Sequence, residues 1–324
     1  MRLATLRDGT PDGALLVVAA EGDRAAPAAT IAATLQQALE NWTAAEPGLR
    51  ALAARVEDGT APGLFALDGQ TPLGAPLPRA WQWLDGSAYT AHGERMQQAF
   101  DLPPIETDRP LMYQGLSDRF YGPTDDIPFP AEEDGVDFEG ELGVIVDAVP
   151  MGTNAQAALA HIRLIVQIND WSLRAIAPVE MKTGFGWVQA KPACGMAPFA
   201  VTPDQLGGAW RDGRVHGRVR VELNSERFGD VESGGEMAFG FHELVAHAAR
   251  TRDLVAGTVI GSGTVSSRHY AEMGSTCISE RRAIDIVAGR EPTPFLRFGD
   301  EVTMRASVDG KPLFGTIRQK VVQR

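Results

Sequence analysis

The segment DFEGELGVIV, residues 137–146, places three acidic residues at alternate positions ahead of an apolar run. Successive side chains of a β-strand point to opposite faces, so Asp137, Glu139 and Glu141 are predicted to share one face. A cation among these carboxylates would reduce their repulsion, and hard divalent ions such as Mg²⁺ or Ca²⁺ prefer oxygen ligands. A solvated strand edge is the alternative, and this segment taken alone favours it. Other parts of the chain must decide between the two.

The composition is that of an ordinary globular protein with an acidic surface. The chain has 324 residues, 44% of them hydrophobic, enough for one large core or for a small domain beside a larger one. A net charge of −12 argues against nucleic acid and anionic membranes as partners. No apolar run reaches the ~18 residues of a membrane span, and the first residues lack an apolar signal segment.

The cysteine content favours a reducing compartment. Cys194 and Cys277 are the only cysteines, too few for a disulfide framework. We therefore expect a cytoplasmic protein in which both cysteines are small apolar core residues.

The distribution of turn residues predicts two regions. Residues 1–20 are predicted to form a hairpin, and the apolar spacing from Thr30 to Glu57 is helical with a break at Pro47-Gly48. The stretch 59–78 is rich in proline and glycine and is predicted to be a linker. We expect a small N-terminal domain or arm over residues 1–75 and a larger domain over residues 76–324. In the larger domain short, glycine-bounded strands outnumber helices, which favours an α+β, mostly β, mixed or rolled sheet with peripheral helices.

Two motifs fall short of the signatures that they resemble. His242 and His247 in HELVAH are five residues apart, whereas two zinc ligands on one helix face require i and i+4. The segment GSGTVS, residues 261–266, lacks the third glycine of a dinucleotide-binding loop and the lysine of a phosphate loop. We expect neither a zinc protease nor a nucleotide-binding protein.

Two further aspartates are candidates for the same site as the acidic strand. Asp170 follows the buried strand predicted at Leu164–Ile168, and Asp118 lies in MYQGLSDRFYGP among aromatic and turn residues. An aspartate at the end of a buried strand is often a helix cap or a metal ligand. Each is ambiguous alone, and their order along the chain strengthens the metal hypothesis.

Five motifs, taken in order, resemble the fumarylacetoacetate hydrolase family from about residue 80 to the end of the chain. They are DFEGELGVIV, NDWSLR, FGWVQAKPACGMAPFAVTP, VRVELNSERFGD and FHELVAHAARTRDLVAGTVIGSGTVS. The resemblance implies a rolled, mixed β-sheet with a barrel-like core, peripheral helices and a homodimeric assembly. The region before residue 75 resembles the N-terminal arm of the longer members only in position and size.

The resemblance implies a set of metal ligands. The family binds Mg²⁺ or Ca²⁺ through residues that match Glu139, Glu141 and Asp170, and carboxylates of this kind also accept Mn²⁺. Asp118 matches an additional, earlier aspartate of fumarylacetoacetate hydrolase itself. Asp137 is then expected to support the ligands or to lie on the surface.

The resemblance also implies residues that contact the substrate. Lys191 matches the active-site lysine, which would stabilise developing oxyanion charge. Arg174 matches the arginine after N-D-W-S, and Thr264 matches a threonine that contacts a substrate carboxyl or carbonyl group. The tyrosine of the early aspartate segment falls on Phe120, so the adjacent Tyr121 is the candidate for a substrate contact.

The general base departs from the family pattern. Fumarylacetoacetate hydrolase carries a histidine seven residues after its first metal aspartate, and Asp125 stands seven residues after Asp118. Smaller members carry a histidine in an N-Y-x-x-H-x-x-E segment, which GSAYTAHGERM resembles through His92. A histidine near its ordinary pKa suits proton abstraction from water, so His92 is the predicted base. Glu280 in GSTCISE is the predicted glutamate that orients it, displaced by two residues from the family position.

The implied activity is metal-dependent hydrolysis of a carbon–carbon bond in a 1,3-diketo acid of the fumarylacetoacetate or acylpyruvate type, in the catabolism of aromatic amino acids and other aromatic compounds. A decarboxylase, hydratase or isomerase acting on a related keto acid is the alternative on the same scaffold. A non-catalytic protein that binds a metal and a keto acid is the alternative of a different class. The expected partner is a small diketo or keto acid.

Overall fold

The computed structural model describes residues 1–101, 103 and 108–324. The strands are β1 (Arg2–Leu6), β2 (Ala14–Val18), β3 (Arg24–Pro27), β4 (Phe65–Ala66), β5 (Trp83–Ser87), β6 (Leu111–Gly115), β7 (Asp126–Phe129), β8 (Val136–Asp137), β9 (Gly140–Val146), β10 (Ile162–Asn169), β11 (Ser172–Leu173), β12 (Gly195–Met196), β13 (Ala200–Val201), β14 (Trp210–Arg211), β15 (Arg214–Val215), β16 (Arg218–Leu223), β17 (Glu226–Glu232), β18 (Val259–Gly261), β19 (Glu301–Val308), β20 (Lys311–Pro312) and β21 (Ile317–Gln323). The α-helices are α1 (Leu35–Glu40), α2 (Trp42–Glu57), α3 (Thr90–Phe100), α4 (Ala155–Ala158), α5 (Ala177–Thr183), α6 (Phe241–Ala248), α7 (Tyr270–Met273) and α8 (Ile278–Val287). Short 3₁₀ segments cover Glu132–Asp134, Leu159–His161 and Pro203–Ala209.

Two mixed sheets contain most of these strands, and β11-β8 and β14-β15 form two separate pairs. The larger has eleven strands in the order β4-β3-β2-β1-β13-β10-β9-β18-β5-β6, with β12 beside β10. The smaller has the order β17-β16-β19-β21-β7, with β20 beside β19. In the described part of the chain neither sheet closes on itself. The expectation of an α+β, mainly β fold with mixed sheets and peripheral helices is confirmed.

The apolar run of the opening segment lies at the centre of the larger sheet. All seven residues of β9 are buried, and β10 and β18 flank it on either side. Val144 and Val146 pack into one hydrophobic cluster, whereas Ile145 packs into a second cluster on the opposite face. A strand covered on both faces has continuous apolar sequence rather than alternation, which explains LGVIV.

The N-terminal residues extend the same sheet. Strand β1 pairs with β13, and Leu3 faces Ala200 across this junction. Leu3 and Leu35 share a hydrophobic cluster with Ile145 and Leu164 of the central strands. The N-terminal region therefore packs directly on the sheet that carries the acidic strand, and a division near residue 75 stays a prediction.

The predicted hairpin over residues 1–20 is confirmed by β1 and β2, whereas the predicted helix break is misplaced. The two helices meet at Asn41, which ends α1 and precedes α2, and Pro47 lies inside α2. Pro47 lies in the second turn of α2 and cannot donate one backbone hydrogen bond, and the helix nevertheless continues to Glu57. In the described residues no helix combines the length and the apolar character needed to cross a bilayer.

Candidate metal centre

Strand pairing brings three carboxylates from distant parts of the chain together. Asp85 on β5 lies opposite Gly261 of β18, β18 pairs with β9, and β9 carries Glu141. Asp170 follows β10, the other neighbour of β9. Carboxylate oxygens of Asp85, Glu141 and Asp170 lie within 4.8 Å of one another, and all three residues are buried. We call these three residues the acid triad.

The acid triad has the chemistry of a divalent cation site. Both oxygens of Glu141 are buried, and no residue that the structure describes forms a hydrogen bond with them. Burial and then the neighbouring acids raise the pKa values of Glu141 and Asp85 well above the ordinary carboxyl value. A buried carboxylate without a partner is costly, and a hard cation with oxygen ligands removes that cost. The residues present therefore fit Mg²⁺, Ca²⁺ or Mn²⁺.

Glu139 lies beside the triad and binds the predicted basic residues. Lys191 Nζ lies 2.9 Å from Glu139 Oε1 and 2.6 Å from Asp170 Oδ2, and Arg174 also pairs with Glu139. Thr264 Oγ1 donates to Glu139 Oε2 over 2.6 Å. Burial raises the pKa of Glu139, but Lys191 and Arg174 outweigh it and hold that pKa well below the ordinary value. The structure thus brings Glu139, Arg174, Lys191 and Thr264 to one place.

Lys191 remains charged in this buried position. Burial lowers its pKa, but Asp170 and Glu139 raise it above the ordinary lysine value. The side chain therefore presents an ammonium group to the centre.

Asp137 is a buried structural residue. It accepts hydrogen bonds from the backbone N–H groups of Ile278 (2.7 Å) and Ser279 (2.9 Å) at the start of α8, and Arg174 Nε lies 2.9 Å from its Oδ2. Asp137, Glu139 and Glu141 are 0%, 5% and 0% exposed, so the solvated-edge alternative is wrong, as is a surface position for Asp137. The strand is also interrupted, because β8 ends at Asp137 and β9 begins at Gly140.

The structure does not bring Asp118 and Tyr121 to the acid triad, and their predicted roles stay predictions. Asp118 is exposed on the segment after β6, and both residues line a separate cleft with Arg7 and Arg79. The aspartate brought to the site is Asp85, which our sequence reasoning missed.

One signal could have identified Asp85. The family pattern has a histidine seven residues after its first metal aspartate, and Asp85 precedes His92 by seven residues. The tyrosine at the site was missed as well. It is Tyr113 on β6, and its hydroxyl donates to Asp170 Oδ2 over 2.8 Å.

His92 and Glu280 approach each other beside the site. His92 lies on α3 and Glu280 on α8, and side-chain ligand atoms of both lie within 4.8 Å of each other and of Cys277. His92 Nδ1 and Glu280 Oε2 are buried and have no hydrogen-bond partner within residues 1–101, 103 and 108–324. Burial lowers the pKa of His92, although Glu280 opposes this shift. Arg95 pairs with the other oxygen of Glu280 and fixes the position of that carboxylate.

The two cysteines are buried core residues, as expected, and both also contact residues of the site. Cys194 Sγ lies 3.0 Å from Asp170 Oδ1, to which it donates. Cys277 Sγ accepts from the backbone N–H of Glu280 over 3.3 Å at the start of α8. Both thiols therefore help to place acids of the site.

Glycine in GSGTVS permits the close strand approach. A Cβ atom on Gly261 would lie 2.4 Å from Asp85 Oδ1 and 2.3 Å from the Trp83 ring. Gly263 has φ +75°, and its N–H donates to Asp85 Oδ1 over 3.1 Å. The loop therefore binds a protein carboxylate through a backbone amide.

A cavity of about 330 Å³ opens onto the centre. Its inner end is polar, formed by Asp85, His92, Glu139, Arg174, Lys191 and Thr264. Its outer part is apolar, formed by Leu111, Met112, Ala177, Met181 and Trp187. The volume lies near the lower end of the ~300–1,000 Å³ range of ligand cavities, so a small molecule fits.

The chain belongs to the fumarylacetoacetate hydrolase family. Residues 82–322 match the family described as fumarylacetoacetate (FAA) hydrolase C-terminal. Residues 1–79 match fumarylacetoacetase N-terminal domain 2.

Two curated relatives show different activities within this similarity. The 2,4-didehydro-3-deoxy-L-rhamnonate hydrolase of Sphingomonas sp. (strain SKA58) is 26% identical over 50% of this chain and 54% of its own length. The human protein named oxaloacetate tautomerase FAHD2A, mitochondrial, is 25% identical over 60% of this chain and 54% of its own length. The chain thus spans about half the length of the curated relatives it matches.

A solved structure confirms the fold over the whole chain. Maleylpyruvate hydrolase from Sphingobium sp. SYK-6, in complex with manganese (II) ion and pyruvate, aligns with a TM-score of 0.67 at 19% identity. The alignment covers 100% of this chain and 99% of that chain.

Proposed function

We propose that this chain is a divalent-metal-dependent enzyme that hydrolyses a carbon–carbon bond in a 1,3-diketo acid of the acylpyruvate or fumarylacetoacetate type. The observation that carries the proposal is the buried, unpartnered carboxylate of Glu141 beside Asp85 and Asp170, at the inner end of a cavity. The family membership supports it, as does the similarity in fold to a maleylpyruvate hydrolase that binds manganese and pyruvate.

The acid triad would hold Mg²⁺, Ca²⁺ or Mn²⁺, all of which accept carboxylate ligands. When bound, such an ion would supply Lewis-acid polarisation of the substrate oxygens. Glu139 stays a predicted fourth ligand. It is set apart from the triad because its oxygens accept hydrogen bonds from Lys191 and Thr264.

The protein side chains supply the proton transfers. Neutral His92 takes a proton from water, and the water oxygen adds to the carbonyl carbon of the acyl group. Lys191 donates to the oxygen on which negative charge develops. The bond between that carbon and the adjacent methylene carbon then breaks, and its electron pair stays on the methylene carbon as an enolate. Protonation of this carbon yields pyruvate and a carboxylic acid in the acylpyruvate case.

A tautomerase is the second candidate, favoured by the 25% identity to the oxaloacetate tautomerase. In that reaction His92 would move a proton between carbon and oxygen, and no water would add. A decarboxylase, a hydratase and a non-catalytic keto-acid-binding protein are the remaining alternatives.

An assay with defined metal content separates these candidates. Protein freed of metal by a chelator is mixed with an acylpyruvate and Mn²⁺, while diketone absorbance and products are followed. We expect pyruvate and the carboxylic acid in equal amounts, loss of turnover in His92→Gln, and retention in Asp118→Asn. Interconversion of enol and keto oxaloacetate without bond cleavage would instead establish the tautomerase. Activity that survives the chelator would overturn the metal assignment.

We further propose a homodimer in the cytoplasm. The family resemblance supports the dimer, and two free cysteines support a reducing compartment. Sedimentation velocity tests the first proposal, since a monomer at all concentrations contradicts it. Cell fractionation tests the second.

A further inference from the structure

The outer part of the cavity is an apolar wall built from three segments. Leu111 and Met112 belong to β6, Ala177 and Met181 belong to α5, and Trp187 follows α5. We call these five residues the apolar wall.

A carboxylate fixes the position of this wall. Glu180 accepts from the backbone N–H groups of Val188 (3.1 Å), Gln189 (2.9 Å) and Ala190 (3.0 Å), which ties α5 to the segment that follows it. Trp187 packs edge-on against Tyr113, with ring centroids 6.1 Å apart. The wall is therefore present before a ligand binds.

The cationic groups of the described lining lie at the inner end of the cavity. Arg174 pairs with Asp137 and Glu139, and Lys191 pairs with Glu139 and Asp170. Lys182 on α5 is exposed and does not belong to the lining. Among the described residues that line the cavity, Arg174 and Lys191 are the cations, and both are held by carboxylates at its inner end.

We infer that the acyl tail of the substrate is uncharged and apolar, an alkyl or aryl group, rather than a tail that ends in a second carboxylate. The inference rests on the proposed function, because that function places the keto-acid end at the acid triad and the acyl tail at the apolar wall. Leu111 and Met181 at the outer rim are 45% and 62% exposed, so a terminal carboxylate at the wall would lose part of its hydration, and the described lining offers no cation there to offset that loss. An alkyl or aryl tail removes its own apolar surface and that of the wall from water.

Two substrates that differ only at the end of the tail test this inference. Butanoylpyruvate ends in a methyl group, and succinylpyruvate has a carboxylate in its place. With Mn²⁺-loaded protein, we expect kcat/KM for butanoylpyruvate to exceed that for succinylpyruvate by at least about tenfold. Equal values, or a preference for succinylpyruvate, would overturn the inference.

Charge substitutions on α5 test whether the apolar wall sets the preference between the two substrates. Met181→Lys adds a cation to the apolar wall, so we expect a several-fold rise in kcat/KM for succinylpyruvate and a fall for butanoylpyruvate. Val179→Lys is the matched control, because Val179 is exposed on the same helix and does not line the cavity. Lys182→Gln should leave both values unchanged. If Val179→Lys reproduced the effect of Met181→Lys, general electrostatics rather than the wall would set the preference.

Calorimetric binding separates this inference from the proposed reaction. If neither substrate is turned over but butanoylpyruvate binds more tightly than succinylpyruvate, the proposed hydrolysis is contradicted and the inference of an apolar tail is supported. If both substrates are turned over with equal kcat/KM, the proposed hydrolysis is supported and the inference of an apolar tail is overturned. Failure of both compounds to bind or react would overturn both.

Discussion

Glu141 is fully buried, neither of its oxygens has a hydrogen-bond partner in the described part of the chain, and Asp85 lies beside it. Asp170 is different, since Lys191 and Tyr113 both donate to it. Without a cation, ionisation of Glu141 is opposed by burial and by Asp85, so its pKa lies well above the ordinary 4.5. A group whose pKa is raised on folding gives stability below its unfolded pKa that is lost as pH rises through the folded pKa. The metal-free protein is therefore destabilised by this group at high pH.

The first prediction concerns Glu141→Gln, which keeps the shape and cannot ionise. At about pH 8 in a chelator, we expect the variant to be more stable than wild type by about 1–2 kcal/mol, and the gain to shrink as pH falls. Its affinity for Mn²⁺ should fall at least about tenfold. Urea unfolding and calorimetry measure the two effects. A variant that is less stable than wild type in chelator at every pH would contradict this account.

The second prediction concerns His92. Burial lowers its pKa below the ordinary 6.5, so the neutral, proton-accepting form persists to lower pH. The acidic limb of kcat/KM is expected to have its midpoint below pH 6.5. Because the Glu280 carboxylate raises the pKa of His92, Glu280→Gln should move this midpoint to still lower pH. A limb at or above the ordinary histidine value would place the base elsewhere.

At the scale of elements, the centre depends on β18 lying between β5 and β9. Val259–Gly261 pairs in parallel with Trp83–Asp85 and antiparallel with β9, which sets Asp85 near Glu141. Gly261 has no space for a Cβ atom against Asp85 and Trp83.

The third prediction is that Gly261→Ala displaces Asp85. Overpacking of this kind costs about 1–3 kcal/mol, and we expect a lower free energy of unfolding together with weaker Mn²⁺ binding. Gly69→Ala is the matched control, because a Cβ atom on Gly69 would lie within 4 Å of no described residue beyond its chain neighbours, and the φ of this residue is not positive. Unchanged Mn²⁺ affinity in Gly261→Ala would show that the close approach of β18 is not needed.

Local pattern predicted the elements better than their pairing. The acids of DFEGELGVIV, Asp170, Lys191 and Thr264 could be placed at one site because family motifs name them. Strand periodicity could not identify Asp85, because only the parallel pairing of β18 with β5 brings WLDGS to the acids. The one local trace is the seven-residue spacing to His92, which matches the family pattern. Pairing between segments more than 170 residues apart leaves no periodic trace in either one.

The misplaced helix break has a local cause. Pro47-Gly48 has the composition of a breaker, but the chain tolerates a proline early in α2, and the change of direction occurs at Asn41. The burial of β9 on both faces could not be predicted from the sequence either, because a short apolar run is equally consistent with a buried strand and a buried helix segment.

At the scale of the whole molecule, the N-terminal region and the acid triad share one sheet. Strands β1 to β4 continue the sheet that contains β9 and β10, and Leu3 and Leu35 pack with Ile145. Removal of residues 1–75 would expose the edge of this sheet and one side of its core.

The fourth prediction follows from this shared core. We expect the metal-free protein to unfold in one transition, with far-ultraviolet circular dichroism and tryptophan fluorescence giving the same midpoint. Separate transitions for the N-terminal region and the remainder would contradict a common core.

The fifth prediction tests the central claim, that Asp85 rather than Asp118 completes the metal centre. Calorimetric titration of chelator-treated protein with Mn²⁺ should give one site in wild type and in Asp118→Asn. The same titration of Asp85→Asn should show an affinity at least about tenfold weaker. Wild-type affinity in Asp85→Asn, or loss of binding in Asp118→Asn, would contradict the proposed metal centre.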